Sequence, residues 1–262
     1  AYDAAIYLLD AVLEEYPQRV VAHLNIADAY WGNGERVKAK KHYAKYIRLM
    51  NDQNKDISKI PQHVYDRMES IPSFTDDRDG QQYAIVQIGE QTWMAENLNY
   101  ETGESCCYHI EEFNCDKYGR LYDWKTAQNA CPVGWHLPST NEWDNLMRTV
   151  GGKRKHYSEK YGDGFWSWDN AGKILKSKSS WMDYEDRSGN GTDNYGFSAL
   201  PGGFSDGEHF ADVGSSGGWW TATVNNADKG FGQGRDMAYN NDNVRESMYY
   251  KYDELSVRCV LD

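Results

Sequence analysis

The residues best suited to gripping a ligand gather toward the end of this 262-residue chain. Asn225, Asn226, Asn240, Asn241 and Asn243 fall in two short runs, with Tyr239, Arg245, Tyr249 and Tyr250 beside them. Asparagine amides offer donors and acceptors together, and tyrosine adds a flat amphipathic face at low entropy cost, the chemistry antibody loops use. The same runs would also serve as ordinary turns between strands. The chain holds 10 Trp and 20 Tyr. An aromatic face suits the C–H face of a sugar ring, so carbohydrate is a reasonable ligand class. Trp166, Trp168 and Trp181 lie in a long irregular stretch and could serve either packing or ligand; Trp181 is placed with the recognition set.

Other chemistry is thinner. His136 sits between two apolar residues in an extended run and reads as a satisfied core histidine rather than a general base. Gly196-Phe197-Ser198 lacks the second glycine of a nucleophile elbow, and Gly230-Phe231-Gly232-Gln233-Gly234 lacks the spacing of a dinucleotide turn. Asp183, Glu185, Asp186 and Asp193 could gather round a hard cation, but solvated loop charge is the preferred reading, and no cofactor is expected. Asn190-Gly191-Thr192 matches a glycosylation acceptor and reads more simply as a turn. Five cysteines (Cys106, Cys107, Cys115, Cys131, Cys259) include no C-x-x-C pair, so zinc is not expected.

Positioning such residues requires a framework, and its clearest signals lie between residues 122 and 151. Trp124, Ala127 and Ala130 recur at helical spacing up to Cys131, where Pro132 stops the helix. Ser139 and Glu142 have the spacing of a capping box, and Trp143, Leu146, Met147 and Val150 then form an apolar stripe that needs a sheet to cover it. Strands are expected over 82–88, 92–94, 217–223, 235–239, 246–251 and 255–260, the later ones forming a twisted antiparallel sheet. Residues 101–117 read as a polar loop, and 151–218 as a long, weakly periodic region.

Residues 1–70 read differently. Setting positions 34 apart side by side pairs Ala5 with Ala39, Leu9 with Tyr43 and Leu13 with Ile47. A short capping helix is expected over 60–68 with Pro61 at its start, then a linker over 71–77 and a second domain over 78–262. Of 28 Lys/Arg and 40 Asp/Glu, ten of each lie in residues 1–70, so the remaining 18 and 30 place the whole net charge of -12 in the second part. An acidic surface disfavours nucleic acid. No run of about 18 apolar residues exists to span a membrane. The chain opens in what reads as mid-helix without a leader pattern, and is expected to be a mature or trimmed segment.

The first 51 residues, with Ala27, Tyr30 and Gly34 at the small, aromatic and turn positions, resemble a tetratricopeptide repeat segment. From about Asp76 the chain resembles the Fibrobacter succinogenes major paralogous domain, a bacterial cell-surface family, and through it the C-type lectin-like fold. The matching pieces include Trp93-Met94-Ala95-Glu96-Asn97-Leu98, Gly134-Trp135-His136-Leu137-Pro138, Tyr195-Gly196-Phe197-Ser198, Trp219-Trp220 and Ser256-Val257-Arg258-Cys259-Val260. Trp93, Trp124, Trp135, Trp143, Trp219 and Trp220 fall on such motifs and are assigned to packing. The resemblance implies an α+β class: a lectin-like domain of two helices, a twisted antiparallel sheet and a long loop region, preceded by an all-α segment. It implies bonds Cys107 to Cys115 and Cys131 to Cys259, with Cys106 left over, and hence an exported, surface or periplasmic setting. Five reduced thiols in a cytoplasmic protein are the alternative.

The function expected is non-catalytic binding, with the lectin-like face recognising a glycan or protein and the helical repeats docking a protein partner. The alternatives are a structural module of a surface assembly and, more remotely, an oxidase like the formylglycine-generating enzymes, which need paired C-terminal cysteines where Cys259 stands alone. Closing the 128-residue loop by the second bond would remove unfolded-chain entropy worth roughly 4 to 5 kcal/mol. Non-reducing peptide mapping should therefore recover Cys131 and Cys259 in one linked pair; recovery of both as free thiols would contradict the lectin-like reading.

Overall fold

The computed structural model describes residues 2–158, 164–224 and 230–262. The chain divides into two compact units, Ala1–Phe74 and Thr75–Asp262.

In the first unit, α1 (Tyr2–Glu15), α2 (Val20–Gly32), α3 (Arg36–Asp52) and α4 (Gln62–Glu69) follow one another. Gly34, at φ +79°, makes the tight turn from α2 to α3 in a region costly for other residues. Fully buried Ala27 and Ala39 let the helices approach, while Tyr30 and Tyr43 fill the facing layer. Pro61, which has no N–H to leave unpaired, stands at the N-cap of α4. A polar cluster fastens that helix. Arg67 donates to Asp28 at 2.6 Å and also to the Tyr43 hydroxyl, which itself donates to Asp28 at 2.7 Å. Burial, reinforced by Asp28, pushes the Tyr43 hydroxyl up to about 12, so it remains a donor. Buried Lys40 donates to the Ile71 carbonyl at 2.7 Å and to Ser73 at 2.9 Å, so residues expected in an irregular linker are tied to α3.

The second unit is built on two sheets. In the smaller, Gln91–Met94 pairs with Gln82–Ile88 on one side and with Val260–Leu261 on the other, so the start and end of the unit lie side by side. Trp135–His136 pairs with the outer edge of Val260–Leu261. The larger sheet centres on Ser216–Val224, Phe231–Ala238 and Val244–Tyr250, which run antiparallel and continue into Phe165–Asp169 and Lys153–Tyr157. It is not purely antiparallel: Ser216–Val224 pairs in parallel with Gly202–Ser205 and with Glu254–Ser256. Glu254–Ser256 in turn pairs with Leu121–Asp123. The expected strand over 255–260 is thus two short strands serving different sheets.

Helices fill the faces. In the disulfide loop expected to be polar and irregular, α5 (Glu112–Tyr118) buries Cys115 and Tyr118. The helix expected to run to Cys131 is a single turn, α6 (Trp124–Ala127), capped by Asp123, which accepts from the Thr126 amide at 2.7 Å. Residues 128–130 form turns instead, because the chain must leave the helical region before Pro132. α7 (Thr140–Thr149) begins with the expected capping box: Ser139 accepts from the Glu142 amide and Glu142 accepts from the Ser139 amide at 2.7 Å. Its Trp143, Leu146 and Met147 pack in one core with Trp93, Trp168, Trp181, Phe197 and Trp219. α8 (Ala171–Leu175) lies within the region expected to be irregular.

Cys131 is bonded to Cys259, and Cys107 to Cys115. Beside Cys259, Arg258 is fully buried and, among the described residues, donates to neutral acceptors: Asn97 Oδ1 at 2.6 and 3.0 Å, the Phe197 carbonyl at 2.5 Å, the Met94 carbonyl at 3.3 Å and the Ser198 carbonyl at 3.5 Å. Trp219 donates to that same Asn97 oxygen at 2.8 Å. Burial pulls the Arg258 guanidinium down to about 9, with Glu96 and Asp193 opposing the shift.

His136 is no core histidine. Its Nε2 meets Glu142 at 2.7 Å and its Nδ1 meets Asp262 at 2.6 Å, with the side chain 40% exposed. Burial pulls its pKa down, but hydrogen bonds to both carboxylates outweigh that and hold it above the ordinary 6.5. A raised folded value means the stabilisation is complete below about 6.5 and is lost as pH rises through the folded value. Glu142 is shifted the opposite way: burial opposes, yet bonds from Ser139 and His136 hold it below 4.5, so its contribution is lost as pH falls. Melting temperature should therefore decline on raising the pH above about 6.5, and His136→Gln should remove that decline. An unchanged profile in the variant would overturn this assignment.

Candidate functional site

A cleft of about 620 Å³ opens where the last hairpin turns, and it collects Tyr239, Asn240, Asn241 and Asn243 from the expected recognition set. The turn is ordered by its own amides: Asn241 Oδ1 accepts from the Asn243 amide at 3.0 Å, and Asn241 Nδ2 donates to Asn240 Oδ1 at 3.1 Å. The facing wall comes from α8 and the residue before it. Gly172 makes this approach possible, since a Cβ there would stand 2.5 Å from the Asn243 carbonyl oxygen. Lys173 lines the cleft and donates from its side chain to the Asn190 carbonyl at 2.9 Å.

Two further walls were not legible as site residues. The first is one face of the Lys153–Tyr157 and Phe165–Asp169 pair, where Tyr157 donates to Asp169 at 2.5 Å and Lys155 pairs with the other carboxylate oxygen at 2.5 Å. Burial opposes ionisation of Asp169, but these bonds hold its carboxyl below the ordinary range. The second is a small hairpin, Asp183–Tyr184 with Arg187–Ser188. Its Tyr184 ring stands edge-on to Tyr239, centroids 5.6 Å apart at 86°, forming an aromatic corner. At the turns beside these two walls, Asn170 and Glu185 adopt positive φ of 63° and 53°.

The other described residues of the expected set do not line the cleft. Asn225 and Asn226 lie outside the described residues. Trp181 belongs to the core at 4% exposure, its indole donating to the Ala199 carbonyl at 3.0 Å, so it does not face a ligand. Tyr249 packs inward as well, its ring edge-on to Trp220 at 5.9 Å and its hydroxyl donating to Asp236 at 3.3 Å. Burial raises the Asp236 pKa, with Ser247 and Arg245 among the groups opposing that. Tyr250 is 47% exposed but sits at the far end of its strand, tilted against Phe231 at 4.4 Å and stacked on Tyr252 at 5.0 Å. The six-residue step from Val244 to Tyr250 is roughly 20 Å of strand, so one ligand-sized cleft cannot include both ends. Arg245 acts indirectly, lying 4.1 Å over Phe165, which stacks on Tyr157 at 5.5 Å.

No metal-ligating group of three or more His, Cys, Asp or Glu residues occurs among the described residues. Asp193, weighed as a cation ligand, instead accepts from the Ser198 amide at 2.8 Å and from its hydroxyl at 2.6 Å. Cys106 is the free cysteine, its thiol donating a hydrogen bond to Glu254 at 3.1 Å. Burial, then Glu254, pushes its pKa up to about 12, which makes it a poor nucleophile. Among the described residues no helix is long and apolar enough to cross a membrane.

Helical repeats followed by a disulfide-bonded, β-rich domain define the class. The chain belongs to the Fibrobacter succinogenes major domain family, which matches residues 86–261, and a tetratricopeptide repeat matches residues 1–57. No curated protein and no solved structure matches the chain.

Core and cleft assignments differ measurably. Trp181→Ala should cost about 3 to 5 kcal/mol in denaturant unfolding, as for other buried tryptophans. Tyr184→Ala should cost less than about 1 kcal/mol, as surface substitutions do. The reverse ranking would move Trp181 back to the recognition surface.

Proposed function

We propose that this is an exported, non-catalytic binding protein whose C-type lectin-like domain recognises a glycan in the Asn/Tyr cleft, while the helical repeats dock a protein. The observation that carries this is the cleft itself: a polar hollow with an aromatic corner at Tyr184 and Tyr239 and an amide-rich turn opposite α8. Its size suits a small ligand, and amides and phenols placed on a rigid frame suit hydroxyl-rich rings. The lectin-like reading is supported by α7 packed on the core, by the adjacent first and last strands, and by the Cys131–Cys259 bond. The two disulfides support an oxidising compartment.

A binding role without catalysis is favoured by the cleft's donor set. Asp169 is held ionised by Lys155 and Tyr157, which engage both of its oxygens. Bonding of Cys259 to Cys131 also argues against the oxidase reading, which requires a free cysteine pair. For the repeats, exposed Tyr7 and Leu8 on α1, at 75% and 65%, offer apolar contact to a protein partner.

The test is a glycan array probed with the whole chain. Tyr184→Ala and Asn240→Ala should each weaken the best binding by at least about tenfold, or about 1.4 kcal/mol, with melting unchanged. Tyr250→Ala, at the other end of the hairpin, should leave binding intact. Binding that survives both cleft substitutions, or no glycan binding at all, would contradict the proposal.

A further inference from the structure

Beneath the Asn-rich turn lies a buried lysine. Lys176 directly follows α8 and is 1% exposed. Its Nζ donates to the Ala238 carbonyl at 3.1 Å and to the Asn241 carbonyl at 2.9 Å, bracketing the turn that carries Tyr239 and Asn240. The Trp181 ring centroid lies 5.0 Å away on another side. Gly191 allows this packing, because a Cβ there would stand 2.1 Å from the Lys176 carbonyl oxygen. Among the described residues no carboxylate forms an ion pair with it. A buried ammonium is costly, so an apolar side chain would serve a purely space-filling role better. What the ammonium adds is a pair of charge-assisted bonds to two carbonyls three residues apart.

We propose that Lys176 is the positioning residue of the cleft: its ammonium clamps both ends of the turn and fixes the direction in which Asn240 and Asn241 are presented. The proposal rests on the cleft being a binding site only for its purpose; the clamp itself can be measured without a ligand.

The clamp is adjustable by pH. Burial pulls the Lys176 pKa from 10.5 down to about 8; Asp242, in the turn, opposes this, and Lys173, on α8, adds repulsion. A folded value below the unfolded one means that the cost of burying the charge is present below about 8 and is relieved as pH rises. Global stability therefore does not fall over that interval from this group, whereas the charge-assisted bonds to the turn weaken. A lysine with only a structural role would move turn and global stability together.

The experiment follows the backbone amide resonances of Asn240, Asn241 and Asn243 in the whole chain from about pH 6.5 to about pH 9.5, alongside thermal melting. The expected result is a shared titration with a midpoint near about 8 that is absent from Lys176→Met. In that variant, amide exchange across the turn, corrected for intrinsic rate, should be about tenfold faster than in the unaltered chain. Turn resonances that do not titrate, or that titrate identically in the variant, would overturn the proposal. Should Lys176→Met fail to fold, Lys176→Arg decides: a guanidinium stays charged throughout, so loss of the titration supports the clamp and its persistence refutes it. Absence of any glycan ligand would leave these results untouched, so the clamp and the glycan reading fail separately.

Discussion

The second unit depends on one buried cation and the amide oxygen that receives it. A guanidinium removed from water without a carboxylate partner is tolerable only if neutral acceptors replace its hydration nearly completely. Arg258 meets that requirement by drawing together Asn97 and the Met94 carbonyl from one stretch and the Phe197 carbonyl from another far along the chain. Trp219 shares the Asn97 oxygen, so the central strand of the large sheet is registered against the same point. The adjacent Cys259 adds a covalent tie to Cys131. Hydrogen-bond geometry chooses the arrangement, and the disulfide narrows the unfolded ensemble that competes with it.

From that centre the cleft is reached in two steps. Trp219, Met237, Val244 and Trp168 form a continuous apolar face under the sheet, which fixes where the last hairpin ends. The hairpin's turn projects past the core, and polar contacts rather than apolar burial define its shape. Gly172 lets α8 come close to it, and Lys176 reaches it from below. Trp93, Trp135, Trp143, Trp219 and Trp220 of the family motifs are buried, whereas the turn and the small hairpin are polar and accessible. A stable frame thus holds a rim whose side chains can vary without disturbing it.

Local signals in the sequence were reliable where a local rule determined the outcome. The capping box at Ser139 and Glu142, the turn at Gly34 and the stripe on α7 all follow from neighbours within a few residues. Misreadings arose where residue type had to stand in for direction. Tyr249 and Trp181 look like ligand contacts by composition, but strand alternation turns Tyr249 toward Trp220, and Trp181 faces the core. Tyr157, Asp169 and Tyr184 escaped notice because nothing local links them to residue 240. Tyr157 and Asp169 reach the cleft because Val244 pairs with Trp168 and Lys153 with Asp169, pairings that belong to topology, and Tyr184 reaches it from a separate two-stranded hairpin. α5 and α8 were missed because each is short and its apolar residues too few to make a periodic stripe.

The buried Arg258 and Asn97 are the centre of this account, and a double-mutant cycle in denaturant measures their coupling directly. Arg258→Met and Asn97→Leu should each cost about 3 to 5 kcal/mol, since each strips a charge-assisted bond from a polar group that stays buried. The double variant should cost less than their sum by at least about 1.5 kcal/mol, because removing both relieves that penalty. Single costs below about 1 kcal/mol that simply add would mean the unit is held together elsewhere.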